Sequence, residues 1–216
     1  MQKKYASRLL LALVLVAILG LVVSCASSGG GEEPGNSGSE DDMQGMGHGS
    51  ESADDTSEML MENGEYSDER FIDAMVPHHQ GAIEMALVAL ENAEHPEILA
   101  LAEEVVSAQE NEIGQLKSIK QEQFGTSEVS MAMSTEEMEG MGMATDPQEL
   151  AYQDPFDKAF IDNMIPHHES AIQMAQVALE ESENLKILEI AGAIVDAQER
   201  EIEQMRSWRD DWYPEG

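Results

Sequence analysis

Two stretches of this chain set a pair of adjacent histidines directly after a proline, with a methionine one turn earlier. The first is Met75-Val76-Pro77-His78-His79 and the second is Met164-Ile165-Pro166-His167-His168. Together they hold four of the six histidines in the 216-residue sequence. Imidazole nitrogen and thioether sulfur both bind metals, and sulfur selects soft ions such as Cu(I). Another methionine follows each pair, Met85 in the first and Met174 in the second.

The stretches belong to longer shared phrases. FIDAMVPHHQGAIEMALVALE begins at Phe71 and FIDNMIPHHESAIQMAQVALE at Phe160, and further on AQENEIGQL from Ala108 answers AQEREIEQM from Ala197. A constant offset without a gap marks an internal duplication that places the same side chains twice.

The elements that must position these residues are helices. Ser67 is an N-cap followed by the first-turn acids Asp68 and Glu69, suited to the positive end of a helix. Phe71, Ile72, Met75, His79, Ala82, Ile83, Ala86 and Leu90 then recur every three or four residues, with Asp73, Gln80, Glu84 and Glu91 opposite. That is the pattern of an amphipathic helix. It is expected to end near Ala93, with Pro96 opening a second helix. In the second copy Asp154-Pro155 should supply the cap and first position of a third helix running to about Ser182. A fourth helix, capped by Asn184, should reach roughly Trp208. Neither hairpin can bury its apolar stripe alone, so an all-α four-helix bundle of two duplicated hairpins is expected. Its repeats span 67–123 and 155–212 within a domain of residues 66–216.

At about 100° per residue, His79 falls near the centre of the apolar stripe. His78 lies at its edge, on the side of Met75 and Met85. On the second helix Gln109 sits mid-stripe with Glu112 one turn on, and Gln198 and Glu201 repeat both placements. Antiparallel packing about a turn at 94–95 sets Gln109 and Glu112 level with the histidines. Glu112 and Glu201 are candidates either for direct ligation or for orienting the imidazoles, with Gln109 and Gln198 behind them. The same placement also fits a buried polar network that fixes helix register. Pro77 and Pro166 either kink a continuous helix or start one; the apolar spacing before them favours the continuous form.

The chain outside the bundle suggests export. Lys3, Lys4 and Arg8 precede an apolar run, Leu9 to Val23, that is short for a membrane span and ends at Ser24-Cys25. Residues 1–24 read as a secretory signal. Val22-Val23-Ser24-Cys25 resembles a bacterial lipoprotein box in which Cys25 becomes the lipidated first residue. The expected location is therefore the cell envelope, periplasmic or outer surface, with membrane contact through that lipid. Cys25 is the only cysteine, so no intramolecular disulfide is possible.

Residues 25–65 are Gly-, Ser- and acid-rich and read as a disordered tether, with Met43, Met46 and His48 inside it. The connector 124–154 carries Met131, Met133, Met138, Met141 and Met143. These two arms are candidate soft-metal segments, and low-complexity drift is the plain alternative. Removing the signal leaves eight basic residues against 44 acidic ones, a net charge of −36. Nucleic acid is excluded as a natural partner by like charge.

The duplicated histidine phrase resembles the bacterial family catalogued as domain of unknown function 305, whose mark is Met-x-Pro-His-His-x-x-Ala-x-x-Met-Ala. Met75–Ala86 and Met164–Ala175 both fit it, and the resemblance covers about 67–120 and 156–209. It implies a ferritin-like helical bundle and, from some exported members, copper binding and copper resistance. Carried over, it implicates Met75, His78, His79, Met85, Met164, His167, His168 and Met174. The expected function is Cu(I) or Ag(I) sequestration or transfer, with a metal-transfer protein as a possible partner. One rival is a dinuclear iron or manganese enzyme using Glu112 and Glu201, although no Glu-x-x-His occurs on any helix; bis-histidine haem is a weaker variant. The other rival is a structural acidic lipoprotein without metal.

Overall fold

The computed structural model describes residues 59–131, 138 and 146–214, all within one compact unit, Gly45–Gly216. A small hairpin, β1 (Met61–Glu62) and β2 (Glu65–Tyr66), leads into helix α1 (Asp68–Asn92) and then α2 (Pro96–Phe124). A single turn, α3 (Pro147–Leu150), precedes α4 (Phe156–Glu181) and α5 (Leu185–Trp212). The four long helices form the bundle. Helices α1–α2 and α4–α5 are the duplicated hairpins, α1 packs on α4, and α2 meets α5. Among the described residues no helix is long and apolar enough to cross a membrane.

Helix ends follow local chemistry. The Arg70 amide donates to the Ser67 side chain at 3.4 Å, and the Lys186 amide to that of Asn184 at 3.1 Å. Gly125 ends α2 in the left-handed region at φ 76°, where a residue without Cβ avoids the steric penalty. Both α1 and α4 run unbroken through Pro77 and Pro166. Each proline removes the donor for the carbonyl four residues earlier, at Asp73 and Asp162. The side chains of those two aspartates engage the neighbouring helix, Asp73 through Lys120 and Asp162 through Arg209 at 2.7 Å.

Three boundaries differ from the sequence expectation. The tether stops short of residue 65, because Leu60 is fully buried and the hairpin packs at the foot of the bundle. Asn63 and Gly64 both have positive φ, 56° and 84°, so the Asn-Gly pair makes the tight two-residue turn that twisted strands favour. At the start of α4, Pro155 itself is the N-cap, and Asp154 lies outside the helix. Helix α5 continues past Trp208 to Trp212 because Trp208 and Trp212 stack at 5.3 Å and pack on the core. The signal segment 1–24, Cys25, and the arm residues Met43, Met46, His48, Met133, Met141 and Met143 lie outside the described residues.

The core has two apolar halves. One joins the start of α1 (Phe71, Ile72, Met75) and the end of α2 (Leu116, Ile119) to Met174, Ala178, Ile187 and Ile194. The other joins Met85, Ala86, Ile98 and Val105 to Phe160, Ile161, Met164 and Met205. Each half joins the open end of one hairpin to the turn end of the other, as a two-fold related duplication requires. Between them lies a polar layer.

Candidate metal centre

The layer is built from the middle of all four helices. His78, His79, His167 and His168 are fully buried, and Gln109 and Gln198 are 3% exposed. The double-histidine phrase puts two adjacent residues on the inner side of α1, one facing α4 and one facing α2; the second copy does the same from α4. The His78 and His167 rings meet across the bundle with centroids 3.9 Å apart. Within each repeat the neighbouring rings are 6.4 Å apart.

The outer imidazoles are each held by a carboxylate. His79 Nε2 lies 2.8 Å from Glu112 Oε2, and His168 Nε2 lies 2.6 Å from Glu201 Oε2. A carboxylate accepts, so Nε2 of each ring carries a proton, while Nδ1 of each is buried without a hydrogen-bond partner among the described residues. Glu112 and Glu201 keep 14% and 17% of their side-chain surface exposed, so they link the buried rings to solvent. His78 differs: its Nε2 lies 2.7 Å from Ser170 Oγ, whose hydroxyl donates to the His167 carbonyl at 2.8 Å.

Several buried atoms of the layer have no hydrogen-bond partner among the described residues. They are the Nδ1 atoms of His79 and His168, both ring nitrogens of His167, and Oε1 of Gln109 and Gln198. Burial, reinforced by the neighbouring His78, His168 and His79, holds the His167 pKa well below the ordinary 6.5. Its ring is therefore neutral at physiological pH, with a lone pair free. Buried polar atoms without partners cost free energy unless something binds them, and a cation answers that need.

The thioethers flank this layer. Met75 and Met174 are buried in the apolar half on one side, Met85 and Met164 in the half on the other. No three or more His, Cys, Asp or Glu side chains among the described residues form a set that could hold an ion. Imidazole and carboxylate donors without thioethers thus make no ready cage, and the thioethers lie in the apolar halves on either side. Of the connector methionines, Met131 is 49% exposed and Met138 is half-buried.

Sequence reasoning missed three buried polar residues, one in the layer and two outside it. Ser170 stands where the first repeat has Gly81, a difference visible on aligning the two phrases. Lys120 is 3% exposed and pairs with Asp73 and Glu69. Asp157, 1% exposed, accepts from the Glu94 amide at 3.1 Å, the His95 amide at 2.8 Å and His95 Nδ1 at 2.6 Å. It ties the first hairpin's turn to the start of α4.

Fold and layer together define a class: a duplicated four-helix bundle with a closed imidazole stratum at its waist. The chain belongs to the family described as Domain of unknown function (DUF305), which matches over residues 24–120 and again over 68–209. No curated protein matches it. Among solved structures, CopM in its Cu(II)-bound form is 38% identical with a TM-score of 0.64. CopM in its Cu(I)-bound form is 35% identical with a TM-score of 0.61. Each match covers 69% of this chain and 99% of CopM. A DUF305 fragment from Deinococcus radiodurans, 24% identical with a TM-score of 0.59, covers 65% of this chain and 93% of its own and bears on the fold alone.

Proposed function

We propose that the chain is an exported, lipid-anchored protein that binds Cu(I) or Ag(I) at His/Met sites, for sequestration or transfer. The observation that carries this reading is the buried layer of imidazole nitrogens without partners, bracketed by four buried methionines. Neutral imidazole and thioether suit soft monovalent ions, and the similar protein CopM is solved with Cu(I), Cu(II) and silver bound. Glu112 and Glu201 orient His79 and His168 rather than ligate, since the atoms they hold are the Nε2–H groups and the free lone pairs are Nδ1. The acidic exterior concentrates cations. Glu201 also lines an open groove of about 550 Å³ with Glu104, Arg200, Gln204 and Trp208. Cys25 carries the lipid, and the methionine arms collect ions for the bundle.

Cu(I) titration of the purified protein against a competing chelator tests the reading. Tight binding should collapse when His78, His79, His167 and His168 are all replaced by Ala. Unchanged affinity would remove the bundle from the function. Saturation should also stabilise the fold, by about 2.7 kcal/mol at 100-fold the dissociation constant. A purely structural layer predicts no shift in Tm. Elemental analysis giving two iron or manganese ions per chain would point instead to a dinuclear centre.

A further inference from the structure

Two cross-helix contacts tie each hairpin, and their spacing is the same in both. In the first hairpin His79 meets Glu112 at 2.8 Å, and Asp73 pairs with Lys120, which also lies 3.4 Å from Glu69. In the second, His168 meets Glu201 at 2.6 Å and Asp162 meets Arg209 at 2.7 Å. From aspartate to histidine the step is six residues in each copy, 79 − 73 and 168 − 162. From glutamate to base it is eight, 120 − 112 and 209 − 201. Six helical residues set the two contacts about 9 Å apart along the axis and about 120° apart around it.

The layer alone leaves an ambiguity of one residue. His78 and His79 are adjacent and fully buried, as are His167 and His168, so a carboxylate would find an imidazole at either position. The ion pair carries no such ambiguity. Advancing α1 by one residue, about 100° of turn, would bring His78 to Glu112 and Ile72 to Lys120. In α4 the same slip would bring His167 to Glu201 and Ile161 to Arg209. The Lys120 side chain is 4% exposed and that of Arg209 18%, against 37% and 38% for the aspartates, so the slip would strand the base. A buried charge without its partner is strongly destabilising, whereas an intact buried pair adds little over apolar residues of similar volume. Such a pair is better suited to choosing a register than to raising stability.

We infer that the Asp73–Lys120 and Asp162–Arg209 pairs are positioning residues that select His79 and His168, rather than His78 and His167, as the partners of Glu112 and Glu201. The inference rests on the reading of the layer as the functional site and adds what decides which ring each carboxylate orients. The base is Lys in one copy and Arg in the other while the contact stays, so charge is what the position supplies.

The test is imidazole NMR of metal-free, full-length protein labelled with ¹⁵N-histidine. It reads the exchange with water of the Nε2–H protons of His79 and His168, assigned with H79Q and H168Q. Asp73→Leu combined with Lys120→Met removes both charges and strands neither. Exchange at His79 should quicken about tenfold or more, the scale of one hydrogen bond to a charged group. His168 should stay within about twofold, as expected of a separate site, and Tm within about 4 °C. Asp162→Leu combined with Arg209→Met should do the reverse. Lys120→Arg, which installs the base found at the corresponding position 209, should keep both signals. Unchanged exchange at His79, or equal gains at His79 and His168, would overturn the inference. So would loss of the fold in the double variants, since the pairs would then be general stabilisers. A selective effect at His79 with unchanged Cu(I) affinity would uphold the register and count against the layer as the ion's site, so the two readings fail separately.

Discussion

The two hairpins agree where the layer is and part company at their turns. At the waist, His79–Glu112 at 2.8 Å and His168–Glu201 at 2.6 Å are the same contact made twice. The flanking ion pairs also match, Asp73 with Lys120 and Asp162 with Arg209. At the ends the pairing is lost. Buried Asp157 clamps the half-exposed His95, which stacks on Trp212 at 3.9 Å. Their counterparts, Asp68 and Asn184, are used differently: Asn184 caps its own helix, and Asp68 lies beside the Tyr66 hydroxyl, whose pKa its charge helps to raise after burial, the larger cause. A duplicated fold that keeps its interior polar layer while its turns drift locates the conserved demand in the interior. The turns need only stability, which can be met in different ways.

That contrast can be broken most forcefully at the clamp. Asp157→Ala takes the acceptor from two backbone donors and from the His95 ring, which keeps 34% of its side-chain surface exposed, at roughly 1–3 kcal/mol for each group that water does not reach. Chemical denaturation should show a loss of about 3 kcal/mol, against less than about 1 kcal/mol for Asp68→Ala, a first-turn acid. Equal losses would mean that the turns are as constrained as the waist. Neither variant should alter Cu(I) affinity, because neither side chain touches the layer.

The layer itself should respond alike in both repeats wherever its contacts are alike. Glu112→Ala and Glu201→Ala each free an imidazole to rotate and strand its Nε2–H. Loss of such an orienting partner typically lowers metal affinity 10- to 100-fold. The two variants should fall within about threefold of each other in chelator competition, given that reference range. A large disparity would show that the carboxylates serve different roles, for example one ligating directly.

Much of this arrangement is written in the sequence. The constant spacing between the copies, the three- and four-residue apolar rhythm and the caps specify four helices in two hairpins. The helical angle of His79 and the register of Glu112 across a turn at 94–95 place carboxylate beside imidazole. Which histidine it meets is less legible, because one residue of rotation exchanges His78 for His79. The contact across the two-fold, His78 with Ser170, depends on how α1 crosses α4, which no single helix records. Asp157 looks like an ordinary first-turn acid until the turn of the other hairpin is folded against it. The β1–β2 hairpin carries its Asn-Gly signal openly, but lies in a polar run whose composition favours a tether.

The smallest predicted effect concerns protons and bears on His167 alone. Burial and the surrounding imidazoles push its pKa down in the folded chain, whereas in the unfolded chain it titrates near 6.5. Below that pH the unfolded state binds a proton that the folded state refuses, so stability rises with pH and is lost as pH falls from about 6.5. One such proton gives a slope of about 1.4 kcal/mol per pH unit, resolvable between roughly pH 6.5 and 5.5, before most carboxylates titrate. Metal-free protein should therefore lose stability to denaturant over that interval, and H167A should flatten the slope. Because an ion competes with the same proton, saturating Ag(I) should shift the loss to lower pH. A profile that stays flat over the interval, or stability that grows on acidification, would show that His167 is protonated inside the fold, and a protonated ring offers no lone pair to an ion.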